Sequence, residues 1–381
     1  MKARNEVIAK QQGKYRKASK KEKTEIINIV CEATGLSRDR AARILREGIA
    51  KKSSKAKGKR GPKRKYQNDV LIPLKRIWYM MDNACGKRLA AGMADMLESL
   101  IRFNEIEISD EVKEKLLQLS PATIDRLLQK EREQFILKGK STTKPGTLLK
   151  RDIPIRTGTE WDENKPGYVE IDLVAHCGES TSGIYVNTLD VTDVFTGWTE
   201  TESIINKAQI HTFNAIKNIR ERLPFKLRGV DSDNGSEFIN HILYRYCIQE
   251  KITFTRSRPY RKNDNCYVEQ KNWSVVRRNI GYQRYEGQEA VDLMNAYYTR
   301  LRLVDNFFYP SAKLKSKSRD GAKVTKKYDN AKTPYRRVLE SGILSEEEEL
   351  QLEKIYLSIN PAQLKREMSI ILDELMKLAI R

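Results

Sequence analysis

The stretch GVDSDNGSEFINHILYRY, from Gly229 to Tyr246, contains three acidic side chains where an apolar segment gives way to a helical pattern. The segment FKLRGVD, residues 225–231, predicts a short buried strand, and residues 235–250 predict a helix. Asp233 therefore stands directly after the end of a strand. The turn is either a solvated acidic loop or a place where a carboxylate holds a metal ion. The sequence on both sides bears on that choice.

Strand patterns precede this stretch, and helices alternate with strands after it. The order is three strands, then helix, strand, helix, strand and helix, which predicts an α/β domain with a mixed five-stranded sheet. The predicted strands are 167–178, 182–193, 196–205, 225–231 and 251–256, and the predicted helices are 206–222, 235–250 and 264–280.

Three carboxylates fall at special positions of this predicted domain. Asp172 lies inside the first strand, between Ile171 and Leu173, where an uncompensated aspartate is costly. Asp233 follows the fourth strand, and Glu269 lies one turn into the last helix. Oxygen ligands of this kind suit Mg²⁺ or Mn²⁺, and two such ions about 4 Å apart serve phosphoryl transfer. We expect a metal site of two ions held by Asp172, Asp233 and Glu269.

Other nearby acids have more ordinary explanations. Glu170 shares a strand face with the first carboxylate, but it is near the strand start and is expected to be solvated. Asp231 could replace its neighbour in the site, although it lies earlier in the strand. Asp190 and Asp193 are expected to end the second strand and shape its turn. Glu237 is predicted in the first turn of a helix, where the helix dipole favours a carboxylate.

The charge of the chain points to a polyanionic partner. The 381 residues contain 72 Lys and Arg against 51 Asp and Glu, a net charge of +21. This length suggests two or three domains, and nucleic acid is the first candidate partner, with a membrane surface as the rival. No apolar run approaches 18 residues, and the N-terminus has no apolar signal-peptide core, so we expect a cytoplasmic, nucleoid-associated protein and no membrane partner.

Cysteine and histidine usage gives no support for a zinc site. The five cysteines include no C-x-x-C pair, and there are only three histidines. Structural zinc sites use four such ligands at short spacings. We therefore expect no zinc.

The basic excess is concentrated at the N-terminus, where residues 1–66 hold 22 Lys and Arg against 6 Asp and Glu. Residues 1–50 predict an all-α, helix-turn-helix DNA-binding domain: Gly35 breaks the first helix and Ser37 can cap a second. Any small helical hairpin gives a similar pattern. The arginines expected to contact DNA from the second helix are Arg38, Arg40 and Arg43.

Residues 51–67 predict a basic linker, which is either merely solvated or a DNA-tracking arm. Its candidate DNA contacts are Arg60, Lys63 and Arg64. Residues 68–137 predict a second helical DNA-binding domain, in which Ser120 caps a helix that begins at Pro121. A plain helical bundle is the alternative. Residues 138–160 predict an extended connector to the domain at 161–310.

Basic residues also surround the third carboxylate. A loop beside a metal site could hold a scissile phosphate and its flanking strand, and a basic helix could extend that surface. The alternative for the helix is an ordinary charged face. The candidates are Arg256, Arg258, Arg261 and Lys262 in the loop, and Lys271 and Arg277 on the helix. The tryptophans Trp161, Trp198 and Trp273 are expected in cores rather than stacked on bases.

Residues 311–381 predict a basic segment followed by helices. Residues 313–339 are basic and low in large apolar side chains, which predicts an extended or small β segment that tracks DNA. Residues 345–358 and 361–380 predict two helices, the first begun by Ser345. An apolar stripe on the second helix predicts a subunit contact or packing on its own domain; its members are Leu364, Met368, Ile371, Leu375 and Leu378.

The spacing of the carboxylates is similar to that of a known family. Asp233 and Glu269 are separated by 35 residues, and the local sequences are EIDLV around Asp172, SDNGSEF around Asp233 and NDNCYVEQKN around Glu269. This pattern resembles the catalytic core of retroviral integrases and bacterial insertion-sequence DDE transposases. The resemblance implies an RNase H-like fold in which these three carboxylates are the metal-binding catalytic triad. The zinc-binding module that begins retroviral integrases is absent, so the chain more closely resembles the transposases.

The resemblance implies a transposase that binds the terminal repeats of a mobile element and catalyses Mg²⁺-dependent DNA cleavage and strand transfer. Its partner would be double-stranded DNA, on which it would act as a homo-oligomer. That expectation favours a subunit contact for the C-terminal apolar stripe. Two alternatives remain open: an RNase H-like nuclease without strand transfer, and a DNA-binding regulator with an inactive core.

Overall fold

A computed structural model describes residues 2–48, 66–135, 165–232, 237–238, 240–256 and 266–380. The chain divides into two compact units, Met1–Lys65 and Tyr66–Arg381. Residues 51–65 of the linker predicted over 51–67 lie outside the described residues, and so does the whole connector predicted over 138–160. No helix in the described ranges is both long and apolar enough to cross a membrane.

Residues 2–48 of the first unit form three helices, where the sequence indicated two. They are α1 (Lys2–Lys17), α2 (Lys20–Thr34) and α3 (Arg38–Glu47). Ser19 begins α2 with a capping box in which its side chain and that of Glu22 satisfy each other's backbone N–H groups. A small apolar core closes the unit, formed by Ile8, Ile27, Val30, Ala41 and Leu45. The turn between α2 and α3 contains Gly35 in the left-handed conformation, as a helix C-cap requires.

The second unit is built around a mixed sheet in the order β3-β2-β1-β4-β5. Its strands are β1 (Tyr168–Ala175), β2 (Asn187–Asp193), β3 (Thr199–Ile204), β4 (Gly229–Ser232) and β5 (Thr253–Arg256). The first three strands pair antiparallel, and β4 runs parallel to β1 and to β5. The predicted α/β class and five-stranded mixed sheet are confirmed. Because β1 is central, a residue inside it is surrounded by protein on both sides.

Helices cover both faces of this sheet. The helices that follow in the chain are α9 (Gln209–Arg222), α10 (His241–Gln249), α11 (Cys266–Lys271), a π-helical segment (Asn272–Arg277), α12 (Arg278–Ile280) and α13 (Gly287–Phe308). Apolar residues of β1, β2 and β4 share one core with α9 and α10. Helix α13 packs against β3 and belongs to a second, larger core. Glu237 precedes α10 rather than lying in its first turn, so that prediction is wrong.

The larger core also includes the helices between residues 68 and 135. They are α4 (Asn68–Met80), α5 (Gly86–Arg102), α6 (Asp110–Leu117), α7 (Pro121–Leu127) and α8 (Gln129–Phe135). The Ser120 side chain caps α7, and Pro121 is its first residue, as predicted. These helices share one hydrophobic core with α13 and the C-terminal helices. Their proposed contact with DNA stays a prediction.

The C-terminal region adds a β-hairpin and three helices. They are β6 (Leu314–Asp320), β7 (Lys323–Tyr328), α14 (Pro334–Glu340), α15 (Glu346–Ser358) and α16 (Pro361–Lys377). Ser345 begins α15 with a capping box, as predicted. In α16, Met368 and Leu375 are buried within the unit's own core, and the rest of the apolar stripe packs against it. The expected subunit contact through this stripe is therefore wrong, because α13 and its neighbours already cover it.

Candidate active site

Asp172 lies in the central strand, and the structure gives its carboxylate specific partners. One oxygen accepts a hydrogen bond from the Asn272 side-chain amide at 2.7 Å, and the other accepts from the Leu173 N–H at 2.8 Å. Asn272 begins the π-helical segment, and short π segments inside helices are common at functional sites. The side chain of Asp172 is thus oriented by the helix that also contains Glu269.

Glu269 lies on α11, and its side chain is exposed. Asn272 follows it by three residues, and residues three apart lie on the same side of a helix. The side of the helix that contacts Asp172 is therefore the side on which Glu269 lies. This contact therefore places Glu269 on the side of its helix that faces the central strand β1.

A second contact fixes the start of the same helix. One oxygen of Glu170 accepts hydrogen bonds from the backbone N–H groups of Tyr267, at 2.9 Å, and Val268, at 3.1 Å. Glu170 is only 3% exposed, so the prediction that it is solvated is wrong. Its burial is tolerated because the first N–H groups of a helix have no intrahelical acceptor and favour negative charge. Strand β1 and the helix of Glu269 are therefore joined on both sides of Asp172.

Asp233 lies outside the described residues. Strand β4 ends one residue earlier at Ser232, which pairs with Ile171 in β1. The alternative acid, Asp231, is fully buried and accepts a hydrogen bond from the Thr255 hydroxyl in β5. The role of Asp233 in the site remains a prediction, and the partner of Asp231 supports a structural role for that neighbour.

A buried polar group lies behind the candidate site. Asp190 stands opposite Asp172 in the middle of β2 and is fully buried, so the prediction that it ends the strand is wrong. Burial raises the pKa of the Asp190 carboxyl well above its ordinary value, although the charge of Lys271 and a hydrogen bond from Thr192 oppose the shift. The β2 register could not be read from sequence, because the strand is buried on both faces.

Asp193 has the role that was predicted for it. Its carboxylate accepts hydrogen bonds from the N–H of Thr196, at 2.7 Å, and of Gly167, at 2.8 Å. It therefore shapes the turn between β2 and β3 and also fixes the residue just before β1.

The basic residues predicted on the helix have internal partners. Lys271 forms an ion pair with Asp305 of α13, with 2.6 Å between nitrogen and oxygen. Arg277 donates a hydrogen bond to the Ala175 carbonyl at 2.8 Å, and its guanidinium lies 4.9 Å from the ring centroid of Tyr282. These contacts support structural roles for both residues, and their contact with DNA stays a prediction.

The other predicted DNA contacts are placed only in part. On α3 the arginines are exposed, and Arg38 donates a hydrogen bond to the Asn28 side chain at 2.7 Å. Arg256 is the last residue of β5, and nothing is described of its side chain. The predicted contacts outside the described residues are Arg60, Lys63, Arg64, Arg258, Arg261 and Lys262.

The tryptophans divide between core and surface. Trp198 is buried and packs edge-on against Phe307, with ring centroids 5.4 Å apart. Trp273 is 58% exposed and follows Glu269 by four residues, so its predicted place in a core is wrong. Trp161 lies outside the described residues. The residues that sequence reasoning missed are thus Glu170, Asn272 and Trp273, and only the position of Glu170, two residues before Asp172, offered a signal.

The donor chemistry of the site fits a hard divalent ion. Asp172 and Glu269 supply carboxylate oxygens, which Mg²⁺ and Mn²⁺ prefer. Within the described ranges no group of three or more acidic, histidine or cysteine side chains could by itself hold a metal ion. Asp233, the third carboxylate predicted to hold the metal, lies outside those ranges.

Comparison with known proteins matches part of this chain to a family model and most of it to a curated relative. Residues 162–262 match the integrase core domain. The protein of Sinorhizobium fredii (strain NBRC 101917 / NGR234) named "Uncharacterized protein y4rM" is 37% identical over 330 residues, which cover 86% of this chain and 93% of that protein.

Two solved structures are also similar to this chain. The catalytic core of BIV integrase covers 46% of this chain and 95% of its own length, with 17% identity and a TM-score of 0.30. The HTLV-2 integrase catalytic core in complex with magnesium covers 38% of this chain and 90% of its own length, with 16% identity and a TM-score of 0.29. The fold is an RNase H-like integrase core with a mixed five-stranded sheet, between helical N-terminal and C-terminal regions.

Proposed function

Since this chain belongs to the same family as y4rM of Sinorhizobium fredii and its residues 162–262 match the integrase core domain, we propose that it is a DDE transposase, which cuts DNA at the ends of a mobile element and joins those ends to target DNA. One observation above all supports the proposal. Helix α11 is docked onto β1 by Glu170 and by Asn272, which brings Glu269 to the strand of Asp172. DNA binding alone requires no such arrangement of carboxylates.

Asp172, Asp233 and Glu269 are the proposed ligands of two Mg²⁺ or Mn²⁺ ions. When bound, such ions stabilise the charge that develops on a phosphodiester and favour attack by an oxygen nucleophile. The chain's own contribution is to hold the ligands in place. Asn272 orients Asp172, and Glu170 fixes the first turn of the Glu269 helix.

The proposed reaction consists of two substitution steps at phosphorus. A water oxygen first replaces the 3′-oxygen on phosphorus at the element end, which leaves a 5′-phosphate and a free 3′-OH. That 3′-OH then replaces the 3′-oxygen of a target phosphodiester. One P–O bond forms and one breaks in each step, so neither a nucleotide cofactor nor a covalent protein–DNA intermediate is needed.

DNA is the proposed partner, and the chain is proposed to act on it as a homo-oligomer. The net charge of +21 favours a polyanion, and α3 presents exposed arginines on the second helix of a helix-turn-helix pattern. We assign recognition of the terminal repeats to this first unit. The helices between residues 68 and 135 are the second proposed DNA-binding region.

The test is a cleavage and joining assay with Mg²⁺ and duplexes that contain the inverted repeats flanking the gene. We expect Asp172→Asn, Asp233→Asn and Glu269→Gln each to lower cleavage and joining at least about a hundred-fold, since loss of even an outer-shell partner costs up to that much. Binding to the same duplexes should persist. Glu237→Gln is the matched control, because it neutralises a nearby carboxylate outside the triad. Full activity of Asp233→Asn would overturn the proposal, and cleavage without joining would favour a simple nuclease.

A further inference from the structure

The hairpin β6–β7 is exposed along its length. Every residue of β7 is exposed, and so are the large apolar side chains of Leu314, Val324 and Tyr328. None of these three belongs to a hydrophobic core of the described residues. A two-stranded ribbon without such packing is marginal in water, so folding alone gives no reason for its sequence.

The ribbon is also strongly basic. Residues 313–328 contain seven Lys and Arg against a single Asp. Lys323, Lys326 and Lys327 are exposed, and they form no ion pair with any side chain that the structure describes. The cross-strand partners of β7 include Ser318, opposite Thr325, and Arg319, opposite Val324. Asp320 lies opposite Lys323, and the ribbon as a whole presents a net charge of 7 − 1 = +6 together with hydroxyl donors.

The base of the ribbon is fixed beside the candidate active site. The ammonium of Lys313 donates hydrogen bonds to the carbonyls of Val194, at 2.9 Å, and Phe195, at 2.6 Å, just after β2. The same ammonium lies 5.8 Å from the ring centroid of Tyr267, two residues before Glu269. The base of the ribbon thus lies against the first turn of α11, the turn that also contains Glu269.

A second set of bonds closes the other strand at the base. Asp329 follows β7, and its carboxylate accepts a hydrogen bond from the Lys313 N–H at 2.6 Å. The same carboxylate forms an ion pair with Arg337, with 2.7 Å between nitrogen and oxygen. Ser311 and Lys332, which flank these residues along the chain, pair with each other in an isolated antiparallel β-bridge. Both strands are therefore anchored, and the direction of the ribbon is set by the core rather than by a free loop.

We infer that the β6–β7 ribbon contacts the phosphates of the duplex DNA that leaves the active site, an inference that rests on the proposed function. Lysine and hydroxyl side chains are common donors to DNA phosphates, and a two-stranded ribbon is narrow enough for the major groove. Seven residues of β6 extend about 20 Å. That reach corresponds to about six base pairs at the phosphate spacing of one DNA strand.

The test measures how the affinity of the full chain for a random-sequence DNA duplex falls with salt. The variant Lys323→Thr/Lys326→Thr/Lys327→Thr removes three ribbon charges with a residue that suits a strand. Each lost phosphate contact lowers the slope of log affinity against log salt by about 0.9, so we expect the slope to become shallower by about two to three. The matched control, Lys217→Gln/Lys354→Gln/Lys377→Gln, removes three exposed charges elsewhere on the same unit.

Equal loss of slope in the two variants, or no change in the ribbon variant, would overturn the inference. A loss as large on an RNA duplex as on DNA would overturn the assignment to DNA. Thermal unfolding of the ribbon variant should match wild type, because its side chains lie outside the cores. The result is separable from the proposed function, since cleavage by Asp172→Asn would contradict the catalytic proposal without changing these binding slopes.

Discussion

Glu170 shows how a single side chain can set the position of a whole helix. Its buried carboxylate accepts hydrogen bonds from two backbone N–H groups at the start of α11. Removing the acceptor leaves buried donors unsatisfied, which costs about 1–3 kcal/mol. Loss of these hydrogen bonds would displace Glu269, because Glu269 lies in the same first turn of α11.

We therefore expect Glu170→Ala to lower the rate of DNA cleavage about 10- to 100-fold, with little change in DNA affinity. Glu170→Gln keeps a side-chain oxygen acceptor and should recover most of that rate. The measurement is single-turnover cleavage together with a binding titration. Glu179→Ala, which changes an exposed glutamate in the loop after β1, is the control. A Gln variant as slow as the Ala variant would contradict a positioning role through hydrogen bonding.

His176 is the residue whose environment makes the clearest prediction about pH. It is fully buried and bonded to the Thr188 hydroxyl at 2.8 Å. Burial, with a smaller contribution from the charge of Arg277, lowers the pKa of His176 to about 3. The unfolded chain binds this proton near pH 6.5 and the folded chain does not, so the free energy of unfolding falls as pH drops from about 6.5 towards 3.

The His176 contribution should reach about 1.4 kcal/mol per pH unit within that window. We expect His176→Gln to unfold with a smaller loss of stability between pH 6.5 and 4.5 than wild type, as measured by urea titration at each pH. His241→Gln, at an exposed histidine, should keep the wild-type dependence. Identical pH dependence in His176→Gln and wild type would contradict the assignment.

At the scale of elements, the succession of strands and helices along the chain was more predictable than the environment of individual side chains. Alternation and turn residues gave the five strands, and the Ser120-Pro121 and Ser345 caps gave the starts of α7 and α15. Helix α1 was missed because it is almost entirely polar and contributes only Ile8 to the buried core of its unit. Amphipathic periodicity cannot reveal such a helix.

Helix α16 illustrates why an apolar stripe did not identify its own partner. The stripe at Leu364, Met368 and Leu375 was predictable from spacing, but whether it faces another subunit or the same chain depends on tertiary structure. In the structure α13 and the helices between residues 68 and 135 cover it. The choice could not have been made from periodicity, since both outcomes require the same pattern.

Leu375→Ala should therefore destabilise the folded chain by about 2–5 kcal/mol through loss of buried contacts and formation of a cavity. Ile370→Ala on the same helix changes a side chain that is 59% exposed, and should alter stability by less than about 0.5 kcal/mol. Chemical denaturation measures both. The elution volume of the native protein should be the same for the two variants, and a shift to a smaller oligomer in Leu375→Ala would restore the subunit-contact interpretation.

At the scale of the whole molecule, most of the net positive charge and the proposed catalytic carboxylates lie in different units. Residues 1–66 have a net charge of 22 − 6 = +16 out of +21 for the chain, whereas Asp172 and Glu269 lie in the second unit. If the first unit recognises element ends through α3, its arginines should affect the choice of DNA more than the chemistry. A general electrostatic role would instead depend only on the number of charges removed.

Two triple variants of the full chain separate these possibilities. Arg38→Gln/Arg40→Gln/Arg43→Gln removes three charges from α3, and Lys10→Gln/Lys14→Gln/Lys17→Gln removes three exposed charges from α1 of the same unit. We expect the α3 variant to lose most of its preference for end-containing over random duplexes, since each base contact by arginine contributes about 1–3 kcal/mol. The α1 variant should weaken both duplexes alike and keep the ratio. Competition binding at fixed salt gives that ratio, and an unchanged ratio in the α3 variant would place end recognition elsewhere, with the helices between residues 68 and 135 as the next region to substitute.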